Sequence, residues 1–152
     1  MKRGYEAAQK GQYDKAFGIW KILAEKGIAE AQYNLGVLYQ RGQGISKNLV
    51  LAAKWYTLSS ENGDDSAQLN LGYMYEQGLG VAANTSIAIN LYKKSANQGN
   101  IHALFNLGLL LDKEKKYEEA IEWYLKAAMK GHSDAQLNLG ILYDCLLYTS
   151  PS

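Results

Sequence analysis

The chain has 152 residues, 47% of them hydrophobic, and its sixteen lysines and arginines nearly balance fifteen acidic residues to give a formal net charge of +1. This balance excludes the strong positive field that draws proteins onto nucleic acid or anionic membranes. No run of about 18 apolar residues occurs, so no membrane insertion is expected. The single cysteine, Cys145, excludes an internal disulfide framework.

One six-residue block occurs four times along the chain. It reads AQYNLG at 31–36, AQLNLG at 67–72, ALFNLG at 103–108 and AQLNLG at 135–140. The copies are 36, 36 and 32 residues apart. A period in this range is typical of helical repeat arrays, in which each unit packs on its neighbours along an axis. The sequence therefore predicts one elongated array and not a single irregular core.

A second periodic element precedes each of the four blocks. Counting back 11, 8, 7, 4 and 3 residues from Gly27 gives an apolar set, and the same offsets from three further glycines give apolar or small residues. These spacings form the buried stripe of an amphipathic helix. Each glycine is predicted to take the left-handed conformation that ends the helix. The four glycines are Gly27, Gly63, Gly99 and Gly131.

The block itself begins the other helix of each pair and places a glycine in the helix interior. Glycine costs about 1 kcal/mol relative to alanine there, so its recurrence predicts a helix crossing too close for a side chain. The two longer units then carry a glycine-rich loop followed by an asparagine. Asn48 and Asn84 are predicted to cap the second helix of their units.

The pattern A-x-x-N-L-G-x-x-Y, then G-x-G-V/I-x-x-N, then A-x-x-W/L-Y resembles the Sel1-like repeat family, the 36-residue relatives of tetratricopeptide repeats. The resemblance runs from about Gly4 to Tyr143. It implies an all-α, right-handed superhelix (solenoid) of antiparallel helix pairs. We predict a repeat array over residues 1–145, with partial first and last units, and a non-repeat tail over 146–152. The tail is either translated adapter sequence or a divergent terminus.

No catalytic or metal-ligating constellation is evident. His102 and His132 lie near helix starts without a cysteine or carboxylate partner at metal-ligand spacing, so exposed or capping roles are predicted. Cys145 has no base near it in sequence. We expect no enzyme activity, no cofactor and no metal. Residues 1–6 lack a signal-peptide core, but the N-terminus is expected to be truncated, so a soluble protein of either the cytoplasm or the periplasm is predicted.

The resemblance implies a scaffold that binds a protein or peptide in the concave groove of the array. Two alternatives stay open, a repeat spacer in a larger enzyme or regulator and a β-lactam hydrolase-like member. The groove is predicted on the face of each first helix that the core leaves free. Its candidate residues are Tyr33, Asn34, Val37, Arg41, Leu69, Asn70, Tyr73, Gln77, His102, Phe105, Asn106, Leu109, Lys113 and Asn138.

An asparagine recurs at the same position of every block within this predicted groove. It is expected either to hydrogen-bond the backbone of an adjacent repeat or to grip the backbone amides of a ligand, and both roles are compatible. Tetratricopeptide arrays that bind the C-terminal tails of chaperones clamp the terminal carboxylate with arginine or lysine. These residues are absent from the corresponding positions here, so a chaperone-tail adaptor is disfavoured. The column comprises Asn34, Asn70, Asn106 and Asn138.

Overall fold

The computed structural model describes residues 1–149, and every regular element in that range is an α-helix. Each six-residue block lies in the first helix of a repeat, and each glycine-terminated stripe forms a second helix. The helices are α1 Lys2–Gln9, α2 Tyr13–Glu25, α3 Ala29–Arg41, α4 Leu49–Glu61, α5 Asp65–Gln77, α6 Thr85–Asn97, α7 Ile101–Lys113, α8 Tyr117–Met129 and α9 Ser133–Thr149.

The chain forms two compact units, and the division falls inside α6. The first unit is Met1–Leu91 and the second begins at Tyr92. In the first unit each of the helices α1 to α5 packs on its neighbour in sequence. Its core is built from small residues and large rings at the predicted offsets. One cluster comprises Ala7, Ala16, Trp20, Ala24, Ala31, Leu35 and Leu38, and another Ala52, Ala53, Tyr56, Ala67, Leu71, Met74 and Leu91.

Gly36 and Gly108 lie where an aromatic ring of the following helix crosses. A Cβ atom at Gly36 would lie 2.6 Å from the ring of Tyr56, and one at Gly108 would lie 2.5 Å from the ring of Tyr124. Real Cβ atoms do not approach carbon this closely, so the prediction of a tight crossing is confirmed at both positions. Gly140 differs, because a Cβ atom there would meet nothing within 4 Å.

The loops of the two longer units are held against the preceding second helix. Gly80 has a φ of 69°, and a Cβ atom there would overlap the backbone carbonyl of Leu49 at the start of α4. Both predicted caps are present. The side-chain oxygen of Asn48 accepts the backbone N–H of Leu51 at 2.9 Å, and that of Asn84 accepts the N–H of Ile87 at 3.0 Å.

The glutamine of the block has a structural role that the repeat pattern did not reveal. Its side-chain amide donates to a backbone carbonyl near the end of the preceding second helix, eight residues earlier in the chain. The donors are Gln32 to Ala24, Gln68 to Ser60 and Gln136 to Ala128, at 3.1, 3.3 and 3.2 Å. Each of these carbonyl groups also accepts the backbone N–H of the glycine that follows the helix, so the glutamine adds a second hydrogen bond at the helix end.

In the second unit α7 packs on α8, and α8 packs on α9. The connection between α7 and α8 is shorter than in the longer units, as the sequence indicated, and Lys115 takes a positive φ of 60° where those units have glycine. Helix α9 continues to Thr149, beyond the predicted end of the array at residue 145. That boundary stays a prediction, and residues 150–152 of the predicted tail lie outside the described range.

Candidate functional site

In the first unit the candidate groove residues lie on α3 and α5. Arg41, Tyr73 and Gln77 are exposed, whereas Asn34 keeps only 7% of its surface. The remaining residues of this part of the face are half-buried, namely Tyr33, Val37, Leu69 and Asn70. The face is therefore a mixture of side chains that are open to a ligand and side chains that also contribute to packing.

The asparagines of the first unit donate to tyrosine hydroxyls. The side-chain amide of Asn70 lies 3.2 Å from the hydroxyl of Tyr56, and that of Asn34 lies 3.0 Å from the hydroxyl of Tyr5. Trp20 occupies the position equivalent to Tyr56 and has no hydroxyl, which is why Asn34 uses a different tyrosine. The predicted structural role is thus present in a changed form, because the acceptor is a side chain and not backbone.

Tyr56 connects the asparagine to a second amide. Its hydroxyl donates to the Oε1 atom of Gln40 at 2.6 Å while it accepts from Asn70. The ring is fully buried, and burial raises the pKa of Tyr56 well above its ordinary value. The hydroxyl therefore keeps its proton and fixes Gln40 in one orientation, with the amide oxygen toward Tyr56.

Tyr33 lies beside this group. Its ring centroid is 5.8 Å from that of Tyr56. Burial and then the charge of Asp64 raise the pKa of Tyr33, and the positive charge of Arg41 acts in the opposite direction. Tyr33 and Arg41 lie on α3 and Tyr56 on α4, and the Asn70 side chain of α5 reaches the same tyrosine.

In the second unit the candidate residues lie on α7, apart from Asn138 on α9. His102, Leu109 and Lys113 are exposed, and Phe105 and Asn106 are half-buried. The candidates here are His102, Phe105, Asn106, Leu109, Lys113 and Asn138. The helix face is again apolar in part, since Leu109 keeps 40% of its surface.

Phe105 packs against a histidine that caps a helix. The ring of His132 is stacked on that of Phe105 with centroids 4.3 Å apart, and it meets His102 edge-on at 6.3 Å. The Nδ1 atom of His132 accepts the backbone N–H of Ala135 at 3.3 Å, at the start of α9. His132 therefore has the predicted capping role, and His102 is exposed as predicted.

Tyr124 repeats the arrangement of Tyr56 with one change. Its hydroxyl donates to the Oδ2 atom of Asp112 at 3.3 Å, where Tyr56 donates to Gln40. Burial raises the pKa of Tyr124 to about 12, and the carboxylate of Asp112 acts in the same direction. Gln40 and Asp112 each lie four residues after an interior glycine, so they are equivalent repeat positions.

Each unit has a cleft at these equivalent positions, and sequence reasoning missed both. The cleft of the first unit has a volume of about 580 Å³ and is lined by Gln40, Arg41, Lys47, Leu49, Asn70 and Leu79. The cleft of the second unit measures about 390 Å³ and is lined by Asp112, Tyr117, Asn138, Ile141, Leu142, Cys145, Leu146 and Thr149. The sequence marks only one wall of each cleft, namely the variable residue four positions after the interior glycine.

Within residues 1–149, no group of three or more histidine, cysteine or acidic side chains is arranged to hold a metal ion. No helix in this range is both long enough and apolar enough to cross a membrane.

The family model of the Sel1 repeat matches residues 29–64, 65–100, 101–132 and 133–149, which is most of the chain. The chain belongs to the Sel1 repeat family. The predicted resemblance is therefore confirmed. Among curated proteins, the sel1-like repeat-containing protein L18 of Acanthamoeba polyphaga mimivirus is 46% identical over 41 residues, which are 27% of this chain and 7% of the relative.

Solved structures share the fold. A Sel1 repeat protein from Oxalobacter formigenes is 34% identical with a TM-score of 0.87, over 93% of this chain and 60% of that one. The protein c5321, described as a protective antigen of uropathogenic Escherichia coli strains with an SLR fold, is 38% identical with a TM-score of 0.83, over 87% of this chain and 29% of that one. MamA, at 22% identity and a TM-score of 0.66 over 93% of this chain and 82% of that one, shares the fold.

The predicted fold class, a right-handed all-α superhelix of antiparallel helix pairs, is confirmed by this likeness. Repeats of this family generally form scaffolds for protein interaction. The chain spans less than two thirds of the length of the curated relative and of the first two structures. The activity and partners of those longer proteins are therefore not transferred to it.

Proposed function

We propose that this Sel1 repeat chain is a scaffold that binds a protein or peptide along the groove face of its first helices, without catalysis. The observation that carries the proposal is the chemistry of two repeat positions that the core does not fully cover. The residue after each interior glycine is Val37, Tyr73, Leu109 and Ile141 in turn, and the residue before each asparagine is Tyr33, Leu69, Phe105 and Leu137. All eight are apolar or aromatic.

Four of these eight apolar side chains are exposed, which favours a role in binding. Tyr73, Leu109, Leu137 and Ile141 keep between 40% and 63% of their surface, which costs free energy in water. The outer face of the second helices offers a comparison. Its equivalent positions change from apolar to charged along the chain, as Ile22, Leu58, Lys94 and Lys126, so exposure of apolar residues is not systematic there. A surface that stays apolar in every repeat is typical of an interaction surface.

Polar groups on the same face supply a second element of recognition. The half-buried amide of Asn70 is already held by the Tyr56 hydroxyl, so its orientation is fixed before a ligand arrives. Preorganised polar groups beside apolar side chains give orientation and specificity at a smaller entropic cost. Tyr33 and Phe105 act mainly as supports, because both rings pack on tyrosines of the second helices. Tyr73 and Leu109 are the open contacts.

The test is a selection of peptides from a phage-displayed random library on the purified chain. Selected peptides are then measured against two matched variants. Tyr73→Lys places a charge on the groove face, and Ile22→Lys places the same charge on the outer face at a residue that is 58% exposed. We expect Tyr73→Lys to weaken binding at least about tenfold, since burying an unpaired charge at an interface is costly, and Ile22→Lys to leave it unchanged. Equal effects of the two substitutions would refute the groove assignment.

A further inference from the structure

The cleft of the first unit differs in charge from the rest of the groove face. Two of its lining residues are cations, Arg41 and Lys47, and none of its six lining side chains is acidic. In residues 1–149 neither cation takes part in an ion pair.

The amide groups in the cleft are oriented to donate. Gln40 gives its Oε1 atom to the Tyr56 hydroxyl, so its Nε2 atom, with two N–H donors, is directed away from that tyrosine. Asn70 uses one N–H on Tyr56 and keeps another. The hydroxyl cannot reverse these bonds by losing its proton, because its pKa is raised by burial. The cleft therefore combines two cations with fixed amide donors.

The start of α4 adds to the positive electrostatic potential of the cleft. Leu49 is the first residue of α4 and lines the cleft, so the positive end of a 13-residue helix lies at its wall. The wall is also fixed in place, because Gly80 packs directly on the carbonyl of Leu49. Leu49 and Leu79 add apolar surface beside the donors. A group that is anionic, accepts several hydrogen bonds and is attached to an apolar chain matches these features.

We propose that this cleft binds a carboxylate of the partner polypeptide, from an aspartate or glutamate side chain or from its C-terminus. Arg41 and Lys47 supply the charge, and Gln40 and Asn70 supply the oriented donors. The inference rests on the proposed groove function and names the chemistry that the groove selects. The proposed carboxylate site is confined to the first unit. The equivalent cleft of the second unit carries Asp112 in place of Gln40 and is otherwise largely apolar.

The experiment titrates the ¹⁵N-labelled chain with three acetylated pentapeptides of alternating alanine and leucine. The first has a central glutamate and an amidated C-terminus, the second a central glutamine and an amidated C-terminus, and the third a central glutamine and a free C-terminus. The signals of the Arg41 Nε–H and Gln40 Nε2–H groups report occupancy of the cleft. We expect the glutamate peptide, the free-acid peptide or both to bind about tenfold more tightly than the uncharged one.

Two double variants separate the cleft from overall charge. Arg41→Gln with Lys47→Gln removes the cations of the cleft, and Lys21→Gln with Lys54→Gln removes two exposed cations from second helices of the same unit. The first double variant is expected to abolish the preference for carboxylate, and the second to preserve it. All four side chains are exposed, so the far-ultraviolet circular dichroism of both variants is expected to match the parent.

Equal affinity for all three peptides, or equal loss in the two double variants, would overturn the carboxylate assignment. The groove proposal would still stand in that case if Tyr73→Lys weakens binding of the same peptides. Absence of any signal change with all three peptides would overturn the carboxylate assignment and count against the groove as well. A preference for the free-acid peptide alone would identify the source as a C-terminus, and a preference for the glutamate peptide would identify a side chain.

Discussion

The interior glycines provide a sharp test of how the repeats pack, because two identical sequence positions have different surroundings. Gly108 and Gly140 both end an asparagine-leucine-glycine triplet, and both lie inside a helix of the second unit. A Cβ atom at Gly108 would lie 2.5 Å from the Tyr124 ring, whereas one at Gly140 would meet nothing within 4 Å. The perturbation is a single methyl group, introduced as Gly108→Ala or as Gly140→Ala.

The magnitude follows from two opposing effects. Alanine is favoured over glycine in a helix interior by about 1 kcal/mol, and this gain applies to both variants. Overpacking costs about 1–3 kcal/mol, with the upper end expected at Gly108 because Tyr124 is fully buried and its ring has no space to retreat. Gly108→Ala should therefore destabilise the second unit by about 2 kcal/mol. Gly140→Ala should stabilise it by up to about 1 kcal/mol.

The assay is hydrogen exchange of the α7 and α8 backbone amides, together with urea unfolding followed by circular dichroism. Repeat arrays do not always unfold in one cooperative step, so residue-level exchange is the primary measurement. Exchange in α8 should accelerate by about 30-fold in Gly108→Ala, the equivalent of about 2 kcal/mol. If Gly108→Ala proves as stable as Gly140→Ala, the ring of Tyr124 does not limit the crossing and the packing argument fails.

Two further predictions concern single contacts. Asn48→Ala removes the oxygen that accepts the Leu51 N–H and should destabilise the first unit by about 1 kcal/mol, measured by urea unfolding, with Asn48→Asp close to the parent. The raised pKa of Tyr124 means that the unfolded chain loses this proton near pH 10 while the folded chain keeps it to about pH 12. Stability should therefore fall as pH rises through this window, and less so in Tyr124→Phe; identical slopes would contradict the assignment.

The fold was predictable because each of its signals is local. The offsets from Gly27 and its equivalents, the interior glycines and the capping asparagines each depend on residues close together in the chain, and the repeat multiplies every signal. The hydrogen-bonding role of the block's glutamine was not predictable in the same way. Its acceptor is a backbone carbonyl on another helix, and carbonyl groups leave no trace in the sequence.

The site was predictable only as a face. Helical spacing correctly separates the buried Leu35 and Leu38 from Tyr73 and Leu109, which remain open. It cannot indicate that Asn34 is almost fully covered, since this depends on the hydroxyl of Tyr5, 29 residues away in the sequence. The clefts were missed for a related reason. Each is assembled from the end of one helix, the start of the next and the asparagine of the following repeat, and no local pattern joins the three.

The two tyrosine networks show how one repeat framework carries different surface chemistry. The ring of Tyr56 packs on Gly36 and the ring of Tyr124 packs on Gly108, and both tyrosines are fully buried. The core therefore fixes the positions of both rings and of their hydroxyls. The hydroxyl needs an acceptor, but either an amide oxygen or a carboxylate satisfies it, as Gln40 and Asp112 demonstrate. The amide leaves two N–H donors that Tyr56 does not use, and the carboxylate leaves acceptors and a negative charge. Specificity can therefore vary at this position without disturbing the packing that defines the repeat.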